Sequence, residues 1–194
     1  MRGVIAGSRP EPSLIALVRE RMIAVEDPAT SSLIEAVRPA NVRGYLTRGE
    51  LIRICRWKSP RSTGLVRENG ARRVRTATEA AIRSVEERER FERLLSLRGV
   101  SAPSASAVLT MLEPGRYGVI DIRVWQLLHA MGAVRGNARG AGFTLDQWLQ
   151  FLHVLRGVAA ELDVTARAVE RTLFAAHRER QVGTLYPASK PPRP

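Results

Sequence analysis

Leu94-Leu95-Ser96-Leu97-Arg98-Gly99-Val100-Ser101-Ala102-Pro103-Ser104-Ala105-Ser106-Ala107-Val108-Leu109 is the stretch that decides the fold. Apolar residues at helical spacing on both sides of Gly99-Val100-Ser101 predict two helices joined by a tight turn. Gly99 permits that turn and lets the backbone approach a ligand closely. Pro103 falls in the first turn of the second helix, where its missing N–H costs nothing. Leu97, Val100, Ala105 and Val108 are expected to pack the two arms together. The helix opening near Pro103 presents unpaired N–H groups and a positive dipole end, which makes the turn a natural phosphate cradle. Read without its surroundings, the same segment also fits an ordinary αα-hairpin.

Working outward, Ser13 precedes an apolar stripe of Leu14, Ile15, Leu17, Val18, Met22 and Val25, a helix that Asp27-Pro28 stops. A short helix is expected from Thr30 to Val37, ended at Arg38-Pro39 because proline pushes the preceding residue out of the helical region. Thr47-Arg48-Gly49-Glu50 reads as a capping box for a helix through Trp57. Lys58 to Arg61 is a turn, Pro60 to Val66 a short helix, and Ala71 to Val85 a longer one. Glu86 with Arg90 and Glu89 with Arg93 form i, i+4 pairs on a solvated face.

Beyond the hairpin, Glu113-Pro114-Gly115 breaks the second arm, and a helix runs from Asp121 to Met131. A Gly-rich connector follows from Gly132 to Gly142. Thr144 and Gln147 form a second capping box for a helix to Leu162, and Thr165 caps a last helix to Arg180. The Pro-rich segment from Tyr186 to Pro194 has the composition of a disordered tail. No segment alternates with period two over a strand's length, so the expected fold is all α.

The sequence of 194 residues carries 31 Lys and Arg against 19 Asp and Glu, a formal net charge of +12. A surface of that sign attracts polyanions and points first to nucleic acid. Nearly all of the basic residues are Arg, so a compositional bias toward Arg also accounts for part of the excess. Cys55 is the only cysteine, which excludes a disulfide or a four-thiolate zinc or iron–sulfur site within one chain, and it reads as a small core residue. Met1 to Ser8 is too short an apolar run for a signal peptide, and no uncharged apolar stretch approaches the roughly 18 residues of a membrane helix. A cytoplasmic, nucleoid-associated location is expected. His129, His153 and His177 show no metal-ligand spacing, and no phosphate-loop, dinucleotide or nucleophile-elbow motif occurs.

The segment Tyr117-Gly118-Val119-Ile120-Asp121-Ile122-Arg123-Val124-Trp125 places one carboxylate at the mouth of a helix directly after a short apolar run. Asp is also a favoured N-cap, and that role alone explains it at a helix start. Taken together, Leu97-Arg98-Gly99-Val100-Ser101 and Ile120-Asp121 resemble, in order and separation, the core of the helix-hairpin-helix DNA glycosylase superfamily, with its endonuclease III-like fold. There a Leu-Pro-Gly-Val-Gly hairpin is followed by a Val-Asp dipeptide opening the next helix. The motif resemblance covers Leu94 to Trp125. The helix count extends it more weakly over the chain.

The resemblance implies a two-lobed helical fold with an interlobe cleft. A six-helix lobe holding the hairpin would span 30–118, a second lobe would be built from 1–29 and 119–186, and 187–194 would be tail. It implies DNA contacts by Arg98, Gly99, Val100, Ser101, Ala102 and Ser104, and a catalytic carboxylate at Asp121. That carboxylate would assist departure of a flipped base by stabilising an oxocarbenium-like sugar or by positioning water. By position in the central block, Lys58 or Ser59 would fill the gap left by the flipped nucleotide, with Arg61 on a phosphate. No cofactor is implied beyond a monovalent cation at the hairpin, and the iron–sulfur cysteines of the family are absent.

Arg98 and Ser101 depart from the family's Pro and second Gly. Pro103 stands where strand-cleaving members carry a catalytic Lys, so no Schiff base can form there and a monofunctional enzyme of base-excision repair, which removes a base without strand cleavage, is expected. The expected partner is duplex DNA, bound by a monomer. The alternatives are a noncatalytic DNA-binding protein on the same scaffold and a helical module that meets an acidic protein partner.

Overall fold

The computed structural model describes residues 12–180. Among them the protein is all helical, with no strand. The helices are α1 (Pro12–Glu20), α2 (Pro28–Val37), α3 (Pro39–Arg43), α4 (Arg48–Lys58), a 3-10 turn (Pro60–Ser62), α5 (Thr63–Arg67), α6 (Ala71–Arg83), α7 (Glu87–Leu95), α8 (Ala102–Leu112), α9 (Ile122–Ala130), α10 (Leu145–Leu162) and α11 (Ala166–Arg180). The expectations for Met1 to Ser8 and for the segment from Tyr186 to Pro194 lie outside the described residues.

Local chemistry accounts for most helix starts. Thr47 and Glu50 form a reciprocal capping box on α4, and Thr144 and Gln147 form one on α10. Asp27 caps α2 by accepting from Thr30 N–H at 2.9 Å, and the Thr30 side chain together with that N–H holds its carboxyl below the usual range. Thr165 Oγ1 accepts from Ala168 N–H at 3.0 Å at the start of α11.

The ends differ from the sequence pattern in three places. Helix α1 stops at Glu20 instead of reaching Val25. Ile23 N–H is drawn to Thr172 Oγ1 at 3.0 Å and Val25 C=O accepts from Arg171, so α11 supplies the partners that a continued α1 would have offered. At Arg38-Pro39 the chain does not leave the helical region. Arg38 stays at φ −49° and ψ −38°, Pro39 starts the short α3, and Gly44 ends it at φ +81°. Finally, Glu86 does not pair with Arg90. Arg90 is buried, donating to Glu113 Oε1 at 2.9 Å and to Ser84 C=O at 2.7 Å, whereas Glu89 and Arg93 pair as expected at 2.8 Å. The charge run is therefore only partly a solvated face.

The core is continuous and holds Trp125, Trp148, Tyr117 and Phe91 as its largest fully buried side chains. Phe91 of α7 stacks on Trp148 of α10 with ring centres 4.0 Å apart, which ties the first arm of the hairpin to the C-terminal helices. Helix α8 packs on α4 and α2, α6 on α7, and α11 on α9, α10 and α1. Cys55 is fully buried in α4, and burial pushes its thiol up to about 12. No helix among the described residues is long and apolar enough to cross a membrane.

Candidate active site and hairpin

The hairpin forms where the sequence places it. Helix α7 ends at Leu95, Val100 N–H closes on Leu97 C=O at 3.1 Å, and α8 begins at Ala102. Leu97, Val100, Ala105 and Val108 are all buried. Gly99 adopts φ +76°, as such a turn requires. Its open side, however, faces the protein. A Cβ there would lie 2.7 Å from Leu65 Cβ and 2.8 Å from Val66 N, so the close approach that glycine permits is to α5.

A side chain that the sequence did not single out completes the turn. Asn69 is buried, its Oδ1 accepts from Arg98 N–H at 2.9 Å, and its Nδ2 donates to Arg98 C=O at 2.8 Å. The Arg98 side chain turns to Glu68 at 2.7 Å. Ser101 is the N-cap of α8, exposed, with no side-chain cap bond, so the first-turn N–H groups of α8 keep their need for an acceptor. Ala102 is buried and Ser104 fully so, with Ser104 Oγ 3.5 Å from Ser101 Oγ. Ser104, expected to contact DNA, has a fully buried side chain. A cation at the hairpin would draw on the turn carbonyls, of which Leu97 C=O and Arg98 C=O each accept one hydrogen bond, from Val100 N–H and Asn69 Nδ2.

Helix α8 also fixes the chain before Asp121. Ile120 N–H donates to Ser106 Oγ at 3.0 Å, and Ser106 in turn donates to Pro103 C=O at 2.9 Å. Asp121 then caps α9, its Oδ1 accepting from Arg123 N–H at 2.9 Å. Its other oxygen, Oδ2, lies 2.6 Å from Lys58 Nζ, in a pair with side-chain exposures of 18% and 15%. The carboxylate therefore holds two roles at once, as a cap and as the counter-charge of a partly buried ammonium.

This pair lines a cavity of about 470 Å³ bounded by the end of α4, the start of α9, the 21–27 loop and α11. The volume falls within the range of small-ligand pockets, about 300–1,000 Å³. Its aromatic walls are Trp57 and Phe174. Trp57 Nε1 donates to Thr30 Oγ1 at 3.1 Å, and the Arg167 guanidinium lies 5.5 Å from a Trp57 ring centre. Arg123 sits over Phe174 at 5.3 Å, and its Nε is buried with no hydrogen-bond partner.

Helix α11 adds a charged cluster that no local motif announced. Arg167 pairs with Glu170 and with Glu26 Oε2, the latter at 2.7 Å, and Arg171 reaches Glu26 Oε1 at 3.1 Å. Burial pushes the Glu170 carboxyl above its usual range, with Arg167 and Lys58 pulling it back. Gly118 makes room for Glu170, since a Cβ there would lie 2.8 Å from Glu170 Cβ. His177 Nε2 is 3.1 Å from Gln126 Oε1. Burial and the Arg123 charge hold the His177 ring below its ordinary value, against Asp121.

The residues expected to face the duplex separate in the structure. Lys58 turns inward onto Asp121, while Ser59 is half-buried and Arg61 is exposed on the 3-10 turn. The Gly-rich connector is anchored on α9. Trp125 Nε1 donates to Asn137 C=O at 2.8 Å and Gln126 Nε2 to Arg139 C=O at 3.0 Å. Ala141 and Gly142 of this connector share a groove with Ser101 and Pro103 at the mouth of the hairpin. No protein-family model, no curated protein and no solved structure matches the chain.

Proposed function

We propose that the protein is a DNA glycosylase-like enzyme of helix-hairpin-helix type that binds duplex DNA and removes a modified base flipped into the pocket beside Asp121. On this reading the helices from α2 to α8 form one lobe, α1 with α9 to α11 forms the other, and the cavity lies between them. The observation that carries it is the placement of Asp121. Its carboxylate lines a cavity large enough for a nucleobase and is held, through Ser106, against the same α8 whose uncapped N-terminus closes the hairpin. A phosphate at that terminus would position the strand without reading its sequence. The net charge of +12 supplies long-range attraction for the duplex. Trp57 and Phe174 offer faces for an unstacked base.

The chemistry asked of Asp121 is to hold negative charge beside a sugar carbon that becomes positive as the base leaves. One observation favours the second reading, a DNA-binding protein without excision activity. Lys58 lies 2.6 Å from Asp121 and offsets that negative charge.

A panel of duplexes, each with a different damaged base, followed by alkali, separates the two. The expected result is abasic sites in at least one duplex, with a rate reduced by roughly 100-fold or more in Asp121→Asn, the scale of a lost electrostatic group. Equal excision by both proteins rejects the role of Asp121. Inactivity on every lesion, with binding that weakens steeply as salt rises, supports the noncatalytic reading.

A further inference from the structure

Four cations line the cavity, Lys58, Arg123, Arg167 and Arg171, and three of them are matched by carboxylates. Lys58 pairs with Asp121, Arg167 with Glu170 and Glu26, and Arg171 with Glu26. Arg123 is the exception. Among the described residues its guanidinium has no hydrogen bond and no ion pair, and its Nε–H is buried without an acceptor. It rests over the face of Phe174, 5.3 Å from the ring centre. The other cavity carboxylates are already committed. Asp121 gives Oδ1 to the backbone N–H of Arg123 and Oδ2 to Lys58, and Asp27 caps α2. A partly buried guanidinium left without an anion is costly, and a ligand that brings the anion removes that cost.

We propose that Arg123 is the anion receptor of this cavity and that its ligand is a flat heterocycle bearing a carboxylate. The inference rests on the glycosylase reading only for the claim that the heterocycle is a base of duplex DNA; the choice of an anion rests on Arg123. A guanidinium binds a carboxylate through two parallel N–H···O bonds in one plane. A carboxylate conjugated to a ring lies close to the ring's plane, so one flat ligand can stack on an aromatic wall and present both oxygens to the guanidinium. Trp57 and Phe174 supply such walls, and a cavity of about 470 Å³ accommodates a single substituted ring. A phosphate would meet the charge and leave the aromatic walls unused. Lys58 takes an anion only by giving up Asp121, whereas Arg123 gives up no partner. An uncharged base leaves the guanidinium unmatched, so the cavity discriminates by charge as well as by shape.

Calorimetric titration of the whole protein with orotate, a uracil ring carrying a carboxylate, and with uracil itself tests the inference without DNA. Orotate should bind at least about 10-fold more tightly than uracil, the scale of charge-assisted hydrogen bonds. Arg123→Gln, which removes the charge, should reduce that preference to about 2-fold or less, and Arg123→Lys, which keeps the charge, should hold a preference above that of Arg123→Gln. Inorganic phosphate in excess should not displace orotate. Thermal melting shows whether each variant is folded, and the wild-type comparison of orotate with uracil needs no variant.

Equal affinity for orotate and uracil, no orotate binding by the wild type, displacement by phosphate, or an undiminished preference in folded Arg123→Gln overturns the proposal. A duplex containing 5-carboxyuracil and its uracil counterpart separate the two sources of the ring. Faster excision of the carboxylated base by the wild type, with the difference lost in Arg123→Gln, shows that the ring arrives in DNA. An orotate preference without excision of either base makes a free carboxylated heterocycle the ligand and counts against the glycosylase reading. Excision without an orotate preference rejects the receptor and leaves that reading standing.

Discussion

Replacing Gly99 by Ala separates two roles that a glycine can have in the hairpin turn. The position has φ +76°, and a Cβ would meet Leu65 Cβ at 2.7 Å and Val66 N at 2.8 Å. The left-handed conformation costs a non-glycine residue about 1–2 kcal/mol. Forcing a methyl group into packed surroundings costs about 1–3 kcal/mol more, since one of the two contacts is backbone and cannot rotate away. Gly44 provides the control. It has φ +81° with nothing within 4 Å of the added Cβ, so Gly44→Ala bears only the conformational cost.

For a chain of this size each kcal/mol corresponds to about 2–4 °C. Gly99→Ala should therefore lower Tm by roughly 4–20 °C, and Gly44→Ala by about 2–8 °C, with the loss at Gly99 the larger. Equal losses in the two variants would refute the packing argument. A Gly99→Ala protein with unchanged Tm and weakened DNA binding would instead restore a glycine that serves only the approach of a ligand to the backbone.

A double-mutant cycle on Lys58→Met and Asp121→Asn should show coupling of about 1–3 kcal/mol in urea unfolding, because each single change leaves a partly buried charge without its partner. Additivity within about 0.3 kcal/mol would show that the pair at 2.6 Å contributes nothing. His177 titrates below its ordinary value in the folded protein, so the stability it contributes is present above about pH 6.5 and is lost as pH falls through the folded value. Tm should fall between about pH 8 and pH 5.5 by less in His177→Gln than in the wild type, and an identical fall in both would remove His177 as a source of acid sensitivity.

What the sequence made legible follows the range of the interaction. Caps act over three residues, so Thr47 with Glu50, Thr144 with Gln147, and Asp121 at the mouth of α9 could be read directly. The hairpin seam was legible for the same reason. The early end of α1 was hidden, because Ile23 is held by Thr172, 149 residues away. Arg90 had a plausible local partner in Glu86 and takes a distant one in Glu113. Glu26, Arg167 and Glu170 come together through the packing of α11 against the 21–27 loop, and no spacing rule connects them. Gly99 was correctly seen as necessary, but the sequence could not show that α5 lies against it.

The sharpest instance is Lys58, 63 residues from Asp121 and read from position alone as facing the duplex. Its inward placement changes what the carboxylate can do. A carboxylate whose charge is offset by an ammonium at 2.6 Å is a weaker stabiliser of a sugar cation than a free one, unless substrate entry draws the two apart.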